Sequence, residues 1–352
     1  MRVTVRPYTL NFKQPAGTSR GIYTVRKVWY VEVRDGERLL GIGECAPLPK
    51  LSCDDIADYE DVLRAFAQRF ESEINTQNTD FSLSNELKEE MRPYPSMLFG
   101  FESAVMQMSA GGSTALSSTA FSRGERGITI NGLIWMGTFD EMRHRIEEKM
   151  RLGFRCIKLK IGAIDFDNEL SLIRMIRENF SAEQIEIRVD ANGAFDDDAM
   201  LKLQLLAENH LHSIEQPIRA GQWQKMAGLC AATPLPIALD EELIGINTRS
   251  EKIELLDTIR PQYIILKPSL HGGFCGAEEW IRLAEERDIG WWATSALESN
   301  VGLNAIAHWC AGLQESCPDK TPMPQGLGTG MLFTNNIDYP LHIEGERLYY
   351  KP

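Results

Sequence analysis

The run CIKLK (156–160) and the four that follow it, IEIRVD (185–190), HSIEQ (212–216), PIALD (236–240) and YIILK (263–267), decide the fold. Each is short and largely apolar, carries a charge at or beside its end, and is followed by an amphipathic stretch of helical length. Those stretches predict helices ending at Phe180, over Ala199–Asn209, ending at Cys230, near Lys252–Thr258 and over Ala277–Arg287. One unit precedes the series: ITINGLI (128–134), with a helix over Thr138–Leu152 that opens on the capping-box pair Thr138 and Glu141. Another closes it: WWATS (291–295), with a helix over Asn304–Leu313. Seven strand–helix units in alternation imply a parallel sheet with its helices outside. A period of about 25–30 residues suits closure into a (β/α) barrel, which spans residues 128–333 in this reading.

The barrel is preceded by a different grammar. Residues 1–108 alternate apolar and polar positions at Val3–Phe12, Val25–Arg34 and Leu39–Glu44, with the turn dipeptide Asp35-Gly36 between the last two. Helical patterns follow at Ile56–Phe70 and Leu98–Met108, which makes an α+β unit. Residues 109–127 are rich in Ser, Gly and Thr and are expected to form a linker or mobile loop. The tail, 334–352, regains strand character in LHIEGERLYY and is expected to return to the N-terminal unit.

The chain has 352 residues, with 37 Lys+Arg against 50 Asp+Glu and a formal net charge of −13. At 43% hydrophobic and 25% charged, it has the composition of a globular protein with a real core. Nucleic acid and anionic membranes want a basic face, so the acidic balance argues against both as partners. The first residues lack the apolar run of a signal peptide, and no stretch reaches the ~18 apolar residues of a membrane span, so a cytoplasmic location is expected. Seven scattered cysteines without a C-x-x-C argue against a disulfide framework or a zinc site. No pattern in the sequence speaks to oligomeric state.

Active sites in such barrels lie at the C-terminal ends of the strands. Those ends carry Lys158 and Lys160, Asp190, Glu215, Asp240 and Lys267. Strand side chains alternate, so Lys158 and Lys160 share one face. An Asp or Glu at one strand end is commonly a helix cap or a surface charge. Three on consecutive strands converge on one mouth and repel unless a cation sits among them, and hard oxygen donors without His or Cys select Mg²⁺ or Mn²⁺.

The series K-x-K, D, E, D, K, behind a unit containing GIGECAP (41–47), resembles the enolase superfamily and its muconate-cycloisomerase-like branch. Within that branch INGLI (130–134), SALESNVGLNAIAHW (295–309) and PQGLGTGMLF (324–333) are most similar to the o-succinylbenzoate synthase family of menaquinone biosynthesis. The resemblance implies a (β/α)7β-type modified TIM barrel with an α+β capping domain completed by the C-terminal tail. It implies Mg²⁺, with Mn²⁺ as a substitute, on Asp190, Glu215 and Asp240, although Glu241 and Glu242 adjoin the last of these. The substrate would be a small dicarboxylate, 2-succinyl-6-hydroxy-2,4-cyclohexadiene-1-carboxylate, and the reaction a syn dehydration through an enediolate. Lys160 would act as base and then acid, helped by the neighbouring Lys158 and the cation, which both repel a proton from it. Lys267 would steady the enediolate from the other side.

Further candidates for substrate contact are Arg20 on the polar loop 17–21, Asn131 in INGLI, Arg188 and Asn192 flanking Asp190, and Ser295, Ser299 and Asn300 after the seventh strand. For Arg188 a buried ion pair is an equal reading, and for Ser299 and Asn300 a helix-capping role is. GLGTG (326–330) has no strand–loop–helix setting and is not a dinucleotide loop. His210 and His212 enter a strand at the end away from the mouth, and His271 reads as a loop histidine. Rival functions are a dipeptide epimerase, which typically has a D-x-D pair where this chain reads PQGLGTG, a muconate cycloisomerase, and a barrel that only binds ligands.

Overall fold

The computed structural model describes residues 1–18, 21–76, 81–317 and 322–351. The N-terminal unit is an antiparallel meander of β1 (Arg2–Thr18), β2 (Gly21–Asp35) and β3 (Arg38–Cys45), covered by α1 (Tyr59–Ile74), α2 (Asn85–Met91) and α3 (Pro95–Ser109). Asp35 pairs with Arg38 across a turn in which Gly36 takes φ +56°, the left-handed region that glycine enters freely. Leu63, Phe70, Leu87 and Phe101 fill the space between sheet and helices. The α2 helix went unread because its seven residues are too short to show a period; Ser84 caps it by accepting from Leu87 N.

The GIGE segment has a steric reason. A Cβ on Gly43 would lie 1.7 Å from the Gly100 carbonyl oxygen, and one on Gly100 would lie 2.3 Å from Cys45 Sγ. The two glycines let α3 lie against the β3 backbone.

After β4 (Ile128–Thr129) come β5 (Gly132–Ile134), β6 (Cys156–Lys160), β7 (Glu186–Asp190), β8 (Ser213–Glu215), β9 (Ile237–Leu239), β10 (Tyr263–Leu266) and β11 (Gly290–Ala293). Strands β5 to β11 form one parallel sheet in chain order. Between and after them run α4 (Phe139–Arg151), α5 (Phe166–Asn179), α6 (Ala199–Ala207), α7 (Trp223–Ala232), α8 (Arg249–Ile259), α9 (Gly273–Glu285) and α10 (Asn300–Ser316). The Thr138–Glu141 capping box forms as read. Gln325 and Gly326 bridge the two outer strands: Asn131 N donates to Gln325 O at 3.0 Å and Gly326 N to Ala293 O at 2.7 Å. This two-residue stave closes the barrel in the place of an eighth strand.

Three segments differ from the sequence reading. ITINGLI is broken: Gly132–Ile134 pair with β6, while β4 pairs with the tail and its Thr129 O accepts from Gln325 N at 2.9 Å. In the tail, residues 332–335 bond β1, with Lys13 N to Leu332 O at 2.8 Å and Thr334 N to Asn11 O at 2.9 Å. The LHIEGERLYY strands, β12 (Leu341–Glu344) and β13 (Arg347–Tyr350), instead form a hairpin on β4, where the barrel begins. Beyond Ser109, the last residue of α3, the stretch 109–127 holds no helix or strand, yet it is packed rather than a free linker. Phe121 is buried against His308 and Tyr350, Ser122 Oγ lies 3.0 Å from His308 Nδ1, and Asn304 Nδ2 donates to Thr114 O at 2.9 Å. Such bonds to the flank of a helix leave no periodic trace in the sequence.

Gly43→Ala is expected to destabilise the protein by about 1–3 kcal/mol or more, because backbone cannot yield to the added methyl. Gly228→Ala is the matched control: nothing lies within 4 Å of its Cβ position in α7, so the helix gains up to ~1 kcal/mol. Thermal melts of the two variants check the contrast.

Candidate active site

Register places the site. Lys160 lies opposite Asp190 and Asp190 opposite Glu215 on adjacent parallel strands, so the three side chains stand in one row. Glu215 pairs with Ala238, which sets Asp240 two residues higher, and Lys267 follows β10 at the far side. The row climbs around the mouth because neighbouring barrel strands are staggered.

The side chains meet as the strand ends require. Lys158 Nζ is 2.9 Å from Asp190 Oδ2 and also contacts Glu215, while Lys160 Nζ is 2.6 Å from the same Asp190 oxygen. Lys267 pairs with Asp240. Asp190, Glu215 and Asp240 are each at most 2% exposed. Two lysines thus clasp the first acid, and the third lysine holds the last.

The charges do not balance among the acids. Burial opposes ionisation of Asp190 and Asp240, but the ammonium groups of Lys158 and Lys160 beside the first, and of Lys267 beside the second, outweigh it and hold both below the ordinary carboxylate range. Burial, then the Asp190 and Asp240 charges, push Glu215 well above that range. Burial also opposes the charge on Lys158, yet Asp190, Glu215 and Asp240 overcome it and hold its proton more firmly than water does. Glu215 Oε1 and Asp240 Oδ1 are buried without a hydrogen-bond partner. Orphaned hard oxygens in a row of three acids fit a divalent cation of the Mg²⁺ type. Among the described residues no three acids, imidazoles or thiols already stand in a closed ligand group; Lys158 and Lys160 contact Asp190, and Lys267 contacts Asp240.

The cavity above this row is walled by Asn131, Leu133 and Trp135 from the first unit, by Lys158, Lys160, Asn192, Asp240, Glu241 and Lys267, and by Thr294–Leu297. Tyr23, Leu48 and Leu51 of the N-terminal unit cover one side, and Gly326, Gly328 and Thr329 another. Asn192 takes φ +45° and accepts from Lys160 Nζ at 3.0 Å while donating to Glu241 Oε1 at 3.1 Å. Glu242 faces away from the cavity: it accepts from Gly221 N at 2.7 Å and Gln216 Nε2 at 3.0 Å. Gln216 Oε1 in turn takes Asp240 N, so this amide holds the turn that presents Asp240.

Of the sequence candidates, Asn131, Asn192 and Ser295 line one cavity with Asp240 and the three lysines, while Asp190 and Glu215 are tied to it through Lys158 and Lys160. Three do not. Arg188 lies two residues below the mouth, stacked on Trp292 at 4.1 Å and bonded to Glu186 at 2.6 Å and to Pro324 O at 3.0 Å. Strand rise separates it from the mouth, and the indole fills the barrel beside it. Ser299 turns to Glu44 and Tyr30, and Asn300 holds Asn336 and Ile337 of the tail. Arg20 lies outside the described residues. The sequence reading missed Tyr23, Leu48, Trp135 and Leu297, whose apolar types carry no chemical signature; the φ of +66° at Leu297 shows only in the fold.

Comparison with known proteins agrees with this geometry. A family model described as enolase C-terminal domain-like matches residues 141–348. The o-succinylbenzoate synthase of Desulfotalea psychrophila (strain LSv54 / DSM 12343) is 46% identical over 98% of each chain. The crystal structure of MenC from Desulfotalea psychrophila LSv54 superposes with a TM-score of 0.83 at 43% identity, covering 99% of each chain. The L-Ala-D/L-Glu epimerase of Bacillus subtilis (strain 168) is 27% identical over 57% of this chain and 54% of its own. With its capped barrel, its matching family model and a full-length relative at that identity, the chain belongs to the enolase superfamily and, within it, to the o-succinylbenzoate synthase family.

Proposed function

We propose that this protein dehydrates 2-succinyl-6-hydroxy-2,4-cyclohexadiene-1-carboxylate to 2-succinylbenzoate, with Lys160 as the proton-transfer residue. The observation that carries the reaction is the 46% identity to a synthase over 98% of each chain, against 26–28% for the epimerases this chain also resembles. The stretch 324–330 also offers no acid to hold the ammonium group of a dipeptide.

Asp190, Glu215 and Asp240 would hold Mg²⁺, or Mn²⁺ in its place. The cation would neutralise charge on the substrate carboxylate as the α-proton leaves. Lys160 Nζ, as free amine, takes the proton from the carbon bearing the carboxylate, and its bond to Asn192 aims it across the mouth. The electron pair moves into the ring, the C–O bond to the hydroxyl breaks, and the same nitrogen returns its proton so that water leaves and the ring becomes aromatic. One residue serves both steps because hydrogen and hydroxyl depart from one face. Lys158 stays charged against Asp190 and Glu215 and so keeps positive charge under the reacting carboxylate. Lys267 supplies the opposite cation, and Tyr23, Leu48 and Leu51 keep water away from that charge. A reducing, cytoplasmic setting suits the seven free cysteines; no helix among the described residues is long and apolar enough to cross a membrane.

Lys160→Ala is expected to lower turnover by ~10²–10⁴-fold or more with the fold intact, since Lys158, the other amine on that strand face, keeps its proton against Asp190 and Glu215. An ultraviolet assay of product with circular dichroism checks it, and near-normal turnover would refute the one-base mechanism. Removing divalent ions with a chelator is expected to stop turnover, and Mg²⁺ or Mn²⁺ to restore it. Activity that survives full metal removal would refute the role given to the three acids. α-Proton exchange of L-Ala-L-Glu in D₂O, in the absence of dehydration, would favour the epimerase reading.

A further inference from the structure

The loop between β11 and α10 walls the cavity with Ser295, Ala296 and Leu297. Leu297 takes φ +66°, a conformation that an L residue holds only when its surroundings enforce it. The enforcing groups are three buried charges, two of them from the N-terminal unit. Arg26 of β2 is 4% exposed and clamps two backbone carbonyls, Ala46 O at 2.7 Å and Ala296 O. Glu44 of β3 is fully buried and accepts from Ser299 N at 2.9 Å, Ser299 Oγ at 2.5 Å and Gly302 N at 3.0 Å, which caps the first turn of α10 from another domain. Glu298, inside the loop, accepts from Ser269 Oγ at 2.5 Å and from Ser295 Oγ, and Ser295 Oγ also accepts from Thr329 at 2.8 Å.

Buried charges of this kind are kept where they fix one arrangement against others. Burial weakens the charge of Arg26 and of Glu44; Glu298 and then Glu44 offset it for Arg26, and Arg26 offsets it for Glu44. Their fixed oxygens and nitrogens reach the loop on both sides of Leu297, at Ala296 O and at Ser299 N. The strained residue is therefore pinned between two points of attachment that belong to the N-terminal unit.

We propose that Arg26, Glu44 and Glu298 are positioning residues: docking of the N-terminal unit through them shapes the Ser295–Leu297 wall and so sets substrate affinity, leaving the proton transfer at Lys160 to the barrel. This rests on the dehydratase reading of the cavity, and it predicts a split between binding and chemistry.

Glu44→Gln keeps the volume but removes the charge, and Glu298→Gln changes the loop from within the barrel, so the claim survives a folding failure of either one. In each folded variant KM, and the Kd for 2-succinylbenzoate by calorimetry, are expected to rise at least ~10-fold, the weight of a lost charged hydrogen bond, while kcat stays within a few-fold. Hydrogen exchange is expected to accelerate at residues 295–302 and not in the helices of the N-terminal unit. Unchanged KM and Kd, a fall in kcat alone, or deprotection spread through the N-terminal unit would overturn the proposal. If the parent protein neither turns over the cyclohexadiene nor binds 2-succinylbenzoate, the functional reading fails, and the exchange pattern still decides whether these charges hold the loop.

Discussion

Three carboxylates buried side by side at a barrel mouth are the constraint on which the rest of this structure depends. Like charges in a dry setting repel strongly, and each also loses its hydration, so the row exists only with positive charge around it. Lys158, Lys160 and Lys267 supply part of that charge from neighbouring strands. Burial, then the Asp190 and Asp240 charges, push Glu215 upward against the pull of Lys158 and Lys267. A divalent ion concentrates charge where the lysines cannot, which ties the metal requirement to the same strand register that lines up the acids.

The barrel alone leaves that mouth open to water. The N-terminal unit closes one side, and its attachment relies on the same rule that buried charge must be met. Glu44 enters the first turn of α10, and Glu102 of α3 accepts from Cys275 N at 3.3 Å and from Phe274 N in the first turn of α9. Both are carboxylates placed where unpaired helix N–H groups point. Burial pushes Glu102 up to about 7. A folded pKa above the unfolded one means the native state keeps a proton that the unfolded chain releases. Its contribution therefore weakens as pH rises from about 4.5 towards 7. The glycines at 43 and 100 matter for a different reason, letting α3 approach β3 closely enough for these groups to reach the barrel.

The legible part of the site was the part with strong local signals. Charged ends on apolar strands stand out against their own surroundings, so the three acids and three lysines that meet at the mouth could be read from CIKLK onward. For Arg188 the buried ion pair is the reading that holds, with Glu186, since alternation gives the face of a strand but not the depth in the barrel, and depth put Trp292 beside it. Ser299 takes the helix-capping role, accepting from Val301 N at the start of α10, and Asn300 holds the tail; the sequence could not show that Glu44 also uses Ser299. Leu297 and Tyr23 carried no signal.

What the sequence determined by itself was the alternation of strands and helices, the closed barrel it implies, and which six charged strand-end side chains would meet at one mouth. These follow from local periodicity and from the rule that buried charge must be compensated. Only the tertiary structure decided how the barrel closes, through two residues at 325–326; where the last hairpin goes, onto β4; and which loops wall the cavity. Those outcomes depend on contacts between segments up to hundreds of residues apart, such as Asn11 with Thr334 or Glu44 with Ser299. Chain closure and packing select such contacts, and no periodic pattern records them.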